Sequence, residues 1–209
     1  MSAPYMPQVK FAGREQCPMG GARAVIIEMY HVGTVEDTYE GKTTIKEVIH
    51  VVVEVHKRKS DGSRFTVGRD IGTYLGSPAP KAGQKTVLRR MAESCFGRIN
   101  EKEFSPWNLL GKSCQVQIGE TSGGNAKIEG WSSLSDEQEP LAPIKPLKAW
   151  SVADPNCEID DSGIPDFVLT RAKSSREYQA RDLDATLTKQ LDAKVANKDD
   201  DGTVDGIPF

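Results

Sequence analysis

Hydrophobic and polar residues alternate most regularly between Thr43 and His56, where β-branched side chains predominate. A period of two with this composition is typical of a β-strand that buries one face. The face predicted to be apolar carries Ile49, Val51, Val53 and Val55. The opposite face carries His50, Val52, Glu54 and His56. This segment is the strongest strand prediction in the chain.

Shorter β-rich runs predict four further strands, at Ala22–Val32, Phe65–Leu75, Ser113–Gly119 and Ala126–Trp131. The polar segment Gly33–Lys42 is expected to connect the first two strands. Lys57–Arg64 contains an Asp61-Gly62 turn and is expected to form a hairpin loop. A glycine-rich turn at Ser122–Asn125 is expected to join the last two strands.

Between Lys85 and Arg98 the period of the apolar residues changes to that of an amphipathic helix. Its predicted apolar face carries Leu88, Met91, Ala92, Cys95 and Ile99, and its polar face carries Arg89, Arg90 and Glu93. Short, curved strands interrupted by one helix predict a mainly β fold, an OB-fold-like curved barrel. A doubly wound α/β fold is not expected, because helices do not alternate with strands.

The character of the chain changes after Ser135. Pro140, Pro143 and Pro146 predict a stiff linker, and leucines spaced by four residues within Glu177–Asn197 predict a helix with a narrow apolar stripe. We therefore expect three parts. They are a barrel domain at residues 1–138, a linker and helical extension at 139–198, and a disordered acidic tail at 199–209.

Charge is distributed unevenly along the chain. The formal net charge of −3 includes −4 from the tail, which leaves +1 for the remainder. Between Lys57 and Arg98, ten basic residues stand against three acidic ones. A local excess of cations of this kind is typical of a groove that binds nucleic acid.

Binding a single strand without sequence preference requires cations that follow the phosphates and flat rings on which bases stack. The candidate cations are Lys57, Arg58, Lys59, Arg64, Arg69, Lys85, Arg89, Arg90 and Lys127. The candidate rings are Tyr30, Phe65, Tyr74, Trp107 and Trp131. Packing in the core is the alternative for each ring, although strand alternation predicts that Trp131 points away from the core.

The tail holds four carboxylates, two glycines and no basic residue, so it cannot bury enough apolar surface to fold. It nevertheless ends on three apolar residues, which suit an apolar pocket closed by a cation on a partner protein. The residues predicted to bind that partner are Asp199, Asp200, Asp201, Asp205, Ile207, Pro208 and Phe209. An ordinary frayed terminus is the alternative interpretation.

An internal segment, Gly163-Ile164-Pro165-Asp166-Phe167, echoes the end of the tail, Gly206-Ile207-Pro208-Phe209. One interpretation is a helical turn that begins at Pro165. The other is a pseudo-tip that mimics the tail or occupies the nucleic-acid groove.

The sequence offers little support for catalysis. It has three histidines, no CxxC pair among its four cysteines and no GxxxxGK[ST] phosphate loop. We therefore expect a protein that is not an enzyme and uses no cofactor or metal. No run approaches the ~20 apolar residues of a membrane span, and the N-terminus lacks the pattern of a signal peptide. These features predict a cytoplasmic protein without a membrane partner.

The last residues resemble the acidic tip of bacterial single-stranded DNA-binding proteins (SSB), in which an aspartate-rich run closes with Ile-Pro-Phe. Gly13–Pro18 and Asn108–Val116 resemble segments of phage-encoded single-stranded DNA-binding proteins with an OB-fold. The resemblance implies that residues 1–138 bind and protect single-stranded DNA during phage replication, recombination and repair. It also implies that the tail recruits partner enzymes in the host bacterial cytoplasm. The longer region after Ser135 departs from the family's plain linker.

Two alternatives share these features. An adaptor that binds no DNA would use the same tail to dock on host replication or repair proteins. RNA would occupy the same barrel if contacts with the 2′-hydroxyl were favoured. Both a monomer and a homo-oligomer are compatible with the sequence.

Overall fold

A computed structural model of the chain describes residues 15–39, 41–77, 85–154, 163–184 and 188. Its strands are β1 (Gly20–Tyr39), β2 (Lys42–Arg58), β3 (Arg64–Gly72), β4 (Ser113–Glu120), β5 (Ala126–Ser132) and β6 (Lys148–Ser151). Its helices are α1 (Val87–Phe96), α2 (Asp166–Lys173) and a 3₁₀ helix at Pro106–Leu109. Residues 176–184 and 188 are also helical. The predicted tail at 199–209 lies outside the described residues.

The six strands form one antiparallel sheet, which confirms the prediction of a mainly β fold. Hydrogen-bonded neighbours follow the order β3-β2-β1-β4-β5, and β6 pairs with β1. β1 pairs with β4 from Gly20 opposite Ile118 to Val25 opposite Ser113. The β4–β5 hairpin carries a register shift at Gln117, which makes its pairing irregular at that point.

The helix predicted after β3 is present as α1, two residues shorter at each end than predicted. Thr86 caps its start, because the Thr86 hydroxyl accepts a hydrogen bond from the Arg89 amide at 3.2 Å. Gly97 ends it at a φ of 72°, a conformation that glycine adopts without strain. Leu88, Met91 and Ala92 are buried as predicted.

One predicted boundary is wrong. β1 continues to Tyr39 and β2 begins at Lys42, so Gly33–Lys42 is mostly strand rather than a connection. Polar side chains do not end a strand whose backbone hydrogen bonds continue. In this part of β1 several polar side chains form hydrogen bonds with other side chains. The Thr34 hydroxyl, for example, donates to the Glu177 carboxylate at 2.6 Å.

The contacts within the chain group it into two units. The first unit comprises residues 1–29, 51–69 and 75–148, and the second comprises residues 30–50, 70–74 and 149–209. The helical extension after residue 148 therefore belongs to a unit that also contains parts of the long strands. The domain boundaries at 138 and 198 stay a prediction.

In the first unit, β2 buries Val51, Val53 and Val55 on one face, as alternation predicts. Glu54 lies on the face predicted to be polar, yet it is only 1% exposed. Residues 139–147, which we call the strap, cover that face. Leu141 of the strap packs against Val25 of β1, so this face of the sheet also contributes to the core.

The strap is the segment predicted to be a stiff linker, and the structure ties it to the body. The Arg23 guanidinium donates to the Glu139 carbonyl at 3.2 Å. The Ser113 hydroxyl donates to the Leu141 carbonyl, and the Leu141 amide donates back to the same hydroxyl, both at 2.9 Å. The Ile144 amide donates to Glu54 at 3.0 Å. These bonds fix the backbone of the strap to the first unit, although Leu141 is the one strap residue that is buried.

In the second unit, α2 begins directly after Pro165, which confirms the interpretation of the internal echo as a helical turn. Ile164, just before α2, and Val168 and Ala172, within α2, are buried. Polar contacts hold it in place, because the Arg171 guanidinium pairs with the carboxylates of Asp37 and Asp70.

Candidate nucleic-acid interface

The cations in and beside the hairpin loop between β2 and β3 make contacts within the protein. The Lys57 ammonium donates to the carbonyls of Pro18 and Met19, both at 3.0 Å. The exposed Arg58 guanidinium donates to the Gly62 carbonyl at 2.7 Å. The Lys59 ammonium lies 5.9 Å from the centre of the Phe65 ring, a cation–π distance. Lys57 and Arg58 therefore have donors committed to backbone carbonyls, and the loop offers a phosphate fewer free donors than its composition predicts.

Arg64 is a structural cation. Its guanidinium donates to the buried Glu54 carboxylate at 2.8 Å and to the Ala142 carbonyl of the strap at 2.7 Å. The prediction that Arg64 binds DNA is therefore corrected. Its guanidinium is paired with the buried Glu54 carboxylate and serves the fold.

Arg89 also serves the fold rather than the surface. The prediction that it lies on a polar helix face is wrong, because its side chain is buried. It donates to the Leu75 carbonyl at 3.1 Å and pairs with Glu101 at 2.5 Å. Lys85 is exposed but pairs with Glu93, and Lys127 pairs with Glu129.

Arg69 and Arg90 lie close enough together for their charges to interact. Burial lowers the pKa of Arg69, the charge of Arg90 lowers it further, and Glu129 opposes both effects. The Arg69 guanidinium donates to the Ile128 carbonyl at 2.6 Å, while Arg90 is exposed. Arg90 has no ion-pair partner within the described part of the chain, so it is available to an anion.

The prediction of a ring that stacks on bases is wrong for Tyr30 and Phe65. Tyr30 and Phe65 are 1% and 4% exposed, because both face the core, and neither presents a face to a base. Tyr74 is exposed and belongs to the second unit. Trp131 does not leave the core fully, since its ring is half-buried and its indole N–H is buried without a described partner.

Trp107 is the predicted ring that the structure exposes in the first unit, at 37%. It lies on the 3₁₀ helix, where Pro106 starts the turn and Leu109 is fully buried. A short helix anchored on one side by Leu109 leaves Trp107 on the other side. The Asn108 carboxamide accepts from the Ser105 amide at 2.8 Å and fixes the start of the turn.

Trp107 lines a cavity of about 570 Å³ together with Phe96 and Phe104. We call this cavity the aromatic pocket. The rings of Phe96 and Phe104 are 6.5 Å apart in an edge-to-face arrangement, and Phe96 is 38% exposed at the end of α1. Two cations, Arg98 and Lys112, also line the pocket.

The electrostatics of the aromatic pocket favour an anion that carries flat rings. Among the described residues that line it, Glu103 is the one acid. Within the described residues neither Arg98 nor Lys112 has an ion-pair partner, and both are exposed. The Lys112 ammonium lies 5.6 Å from the centre of the Phe96 ring. Exposed rings and free cations therefore share one site.

The backbone holds Lys112 against β1. The Ile26 amide donates to the Lys112 carbonyl at 3.0 Å, and the Gly111 amide donates to the Ile26 carbonyl at 2.8 Å. Gly111 has a φ of 78°, which lets the chain turn sharply between these bonds. These bonds therefore fix the backbone of Lys112 to β1, the central strand of the order β3-β2-β1-β4-β5.

Sequence reasoning missed four residues of this pocket: Phe96, Arg98, Phe104 and Lys112. A signal for them exists, since aromatic and basic residues are interspersed between Phe96 and Lys112. That pattern resembles the requirement for binding a single strand. The sequence does not show that these four side chains are accessible, because their exposure depends on where α1 ends.

A serine, a histidine and a carboxylate meet in the second unit. The His31 Nδ1 atom is 2.9 Å from the Ser151 hydroxyl, and the His31 Nε2 atom is 2.9 Å from Glu47. Serine hydrolases use the opposite arrangement, with Nε2 facing the serine. The Ser151 hydroxyl also accepts a bond from the Ala153 amide. We assign this chain of bonds to the attachment of β6.

The described residues contain no cluster of three or more His, Cys, Asp or Glu side chains suited to a metal ion. No helix in the described part of the chain is long and apolar enough to cross a membrane. Comparison with models of known protein families and with curated protein sequences found no match.

Proposed function

We propose that this chain binds single-stranded DNA without sequence preference, through the aromatic pocket of its first unit. The observation that carries the proposal is the meeting of Phe96, Trp107, Arg98 and Lys112 in one exposed cavity. A base stacks on an exposed ring, and the cations contact the phosphates on either side of it. Stacking contributes ~1–3 kcal/mol per base, so two accessible rings suffice for useful affinity.

The connectivity supports an OB-fold-like barrel as the scaffold. An OB-fold is a five-stranded, partly open barrel of antiparallel strands. Here five strands follow the order β3-β2-β1-β4-β5, with α1 between β3 and β4 in sequence. β3 and β5 end this path, and the Arg69 guanidinium of β3 bonds to the Ile128 carbonyl of β5. That bond supports a sheet curved so that its edges approach each other.

The acidic tail at 199–209 completes the proposal. We infer that it recruits replication, recombination or repair enzymes while the first unit protects the strand. The support is its sequence, in which four aspartates precede an apolar tip. The setting that suits these two activities is phage DNA metabolism in a bacterial cytoplasm.

One observation favours the second candidate, an adaptor that docks through the tail and binds no DNA. Several of the ten basic residues counted between Lys57 and Arg98 make hydrogen bonds inside the protein, among them Lys57, Arg64 and Arg89. The two candidates differ in a single property, which is affinity for a single strand.

Intrinsic fluorescence distinguishes them, because the three tryptophans of the chain lie in different surroundings. Replacing Trp131 and Trp150 by phenylalanine leaves Trp107 as the sole tryptophan, whose emission is selected by exciting at a wavelength that the five tyrosines do not absorb. We expect oligo-dT to quench it, duplex DNA to leave it unchanged, and salt to weaken the effect through loss of phosphate contacts. Trp107→Ala should cost ~1–3 kcal/mol, or about 5- to 150-fold in Kd measured by gel shift.

Two lysines provide a matched control for charge. Lys112 lines the aromatic pocket, whereas Lys102 is exposed but does not line it. Lys112→Ala should weaken DNA binding and lower its salt dependence more than Lys102→Ala does. Absence of both quenching and a gel shift would leave the adaptor as the function.

A further inference from the structure

A second cavity, of about 680 Å³, lies between the strap and the turn that carries Lys112. We call it the strap groove. Its walls include Pro140 and Pro143 of the strap, and its floor includes Cys95 of α1. Lys112 lines both the strap groove and the aromatic pocket. The two cavities therefore adjoin at a cation.

The lining of the strap groove suits part of a nucleic-acid strand. None of the described residues that line it carries a carboxylate, so a phosphate meets no like charge there. The exposed Ser133 provides a hydroxyl for hydrogen bonds, whereas the buried Ser94 hydroxyl already donates to the Arg90 carbonyl at 2.6 Å. Leu134 and the prolines provide apolar surface for a base or a sugar.

The strap is fixed firmly enough to serve as a wall. Glu54, which is buried, accepts from the Ile144 and Lys145 amides and from the Arg64 guanidinium. Arg64 reaches on to the Ala142 carbonyl. A wall held by a buried carboxylate is in place before a ligand arrives, which lowers the entropic cost of binding.

We propose that the strap groove is a second DNA subsite, which takes the nucleotide next to the one stacked in the aromatic pocket. Lys112 then contacts the phosphate that joins the two nucleotides. This inference rests on the proposed function, since it assigns a path to the same strand. It adds the strap, a segment outside the predicted barrel domain, to the DNA interface.

Cys95 provides a probe inside the groove. It is half-buried, whereas Cys17 and Cys114 are buried. Burial raises the pKa of the Cys17 thiol against the opposing charge of Lys57. A side-chain hydrogen bond with Cys95, followed by burial, raises the pKa of Cys114. Both therefore hold less reactive thiolate at neutral pH than an ordinary cysteine does.

The experiment alkylates the full chain, carrying Cys157→Ser, with N-ethylmaleimide and maps the modified cysteine by mass spectrometry. At an oligo-dT concentration 100 times the Kd, about 1% of the protein is free. We expect the rate at Cys95 to fall toward about one hundredth of its value without DNA. Duplex DNA should leave that rate unchanged.

A pair of variants supplies a second readout. Ser133 lines the groove, while its exposed neighbour Ser132 does not. Ser133→Glu should raise the Kd for oligo-dT by about tenfold or more through like-charge repulsion, and Ser132→Glu should change it less. Ser133→Gln, which adds the bulk without the charge, separates repulsion from steric blocking.

The outcomes separate this inference from the proposed function. Quenching of Trp107 with an unprotected Cys95 and equal effects at positions 132 and 133 would overturn the second subsite and keep DNA binding. Absence of both quenching and protection would overturn both. If Cys95 does not react in the free protein, the comparison of Ser133→Glu with Ser132→Glu decides.

Discussion

Two segments that follow strands of the sheet are attached to the protein in different ways. The strap of the first unit is held by Glu54, a buried carboxylate with three hydrogen-bond donors. The helical segment at 163–184 of the second unit is held by the buried side chains of Ile164, Val168 and Ala172 and by ion pairs that are more exposed, such as Arg176 with Glu36 at 3.1 Å. Exposed pairs contribute little and weaken with salt, whereas a buried pair is costly to break.

The difference fits the two roles that we propose. A strap that forms the wall of a DNA groove has to stay in one position. The segment at 163–184 precedes the acidic tail, and its exposed ion pairs make part of its attachment sensitive to salt and acid. The predictions that follow test whether the two attachments differ in strength as the contacts indicate.

The largest effect is expected from Arg64→Ala. This variant leaves the Glu54 carboxylate buried without its cation and removes the bond to the Ala142 carbonyl. Breaking one side of a buried pair costs about 3–5 kcal/mol. Urea unfolding measures this loss, and Arg58→Ala, at an exposed arginine of the same loop, should stay within about 0.5 kcal/mol of the parent. A loss below about 1 kcal/mol for Arg64→Ala would show that the pair does not anchor the strap.

A smaller effect is expected from Gly33→Ala in the second unit. Gly33 has a φ of +94°, and a Cβ there would lie 2.5 Å from a Glu177 carboxylate oxygen and 2.9 Å from the Ser175 side chain. Strain of this kind costs about 1–3 kcal/mol, so amide hydrogen exchange across 163–184 should accelerate by about 5- to 150-fold.

Gly41→Ala is the matched control for this prediction. Gly41 also has a positive φ, of +74°, but a Cβ there meets no described atom within 4 Å. It should therefore carry the backbone strain without disturbing the Glu177 contact. Equal acceleration of exchange across 163–184 in both variants would contradict the proposed docking at Gly33.

Acid should produce the smallest effect, again in the second unit. A hydrogen bond from Lys46 is the main cause that lowers the pKa of Asp37. Burial raises the pKa of Glu177, but hydrogen bonds from the Thr34 side chain and amide lower it by more in total. Both folded-state pKa values lie below the ordinary values of 3.8 and 4.5.

Groups with a lowered pKa stabilise the fold above their ordinary pKa, and this contribution is lost as pH falls through the folded-state value. The attachment at 163–184 should therefore be complete above about pH 4.5 and weaken below about pH 3.8. Amide NMR shifts of Ala172 and Glu177 would follow the change, with Val25 in the core as the reference. Amide shifts that stay unchanged at a pH low enough to protonate both carboxyls would mean that these carboxylates do not hold the segment.

The strands could be predicted because alternation records burial directly. Val51, Val53 and Val55 are buried on one face as expected, and Leu88, Met91 and Ala92 of α1 follow their helical period. The burial of Glu54 could not be predicted, since the strap that covers it lies about 90 residues away in sequence. Local pattern does not show which distant segment covers the second face of a sheet.

The site was predicted less well than the fold, for a related physical reason. Composition counts cations, but it does not show which of them already have partners. Lys57 bonds to carbonyls more than 35 residues away, and Arg64 pairs with a buried acid. Trp107 was predicted, yet its neighbours Phe96 and Lys112 become a site only where α1 ends and the 3₁₀ helix turns back.

The hydrogen bond from the Arg69 guanidinium to the Ile128 carbonyl also bears on the aggregation of this protein. β3 and β5 are the two ends of the hydrogen-bonded path, and an edge strand with open carbonyls is a template for aggregation. By occupying one of these carbonyls, the guanidinium blocks the addition of a foreign strand at that point of β5. Arg69→Ala should therefore increase light scattering in concentrated solutions, even at salt concentrations where charge repulsion is screened.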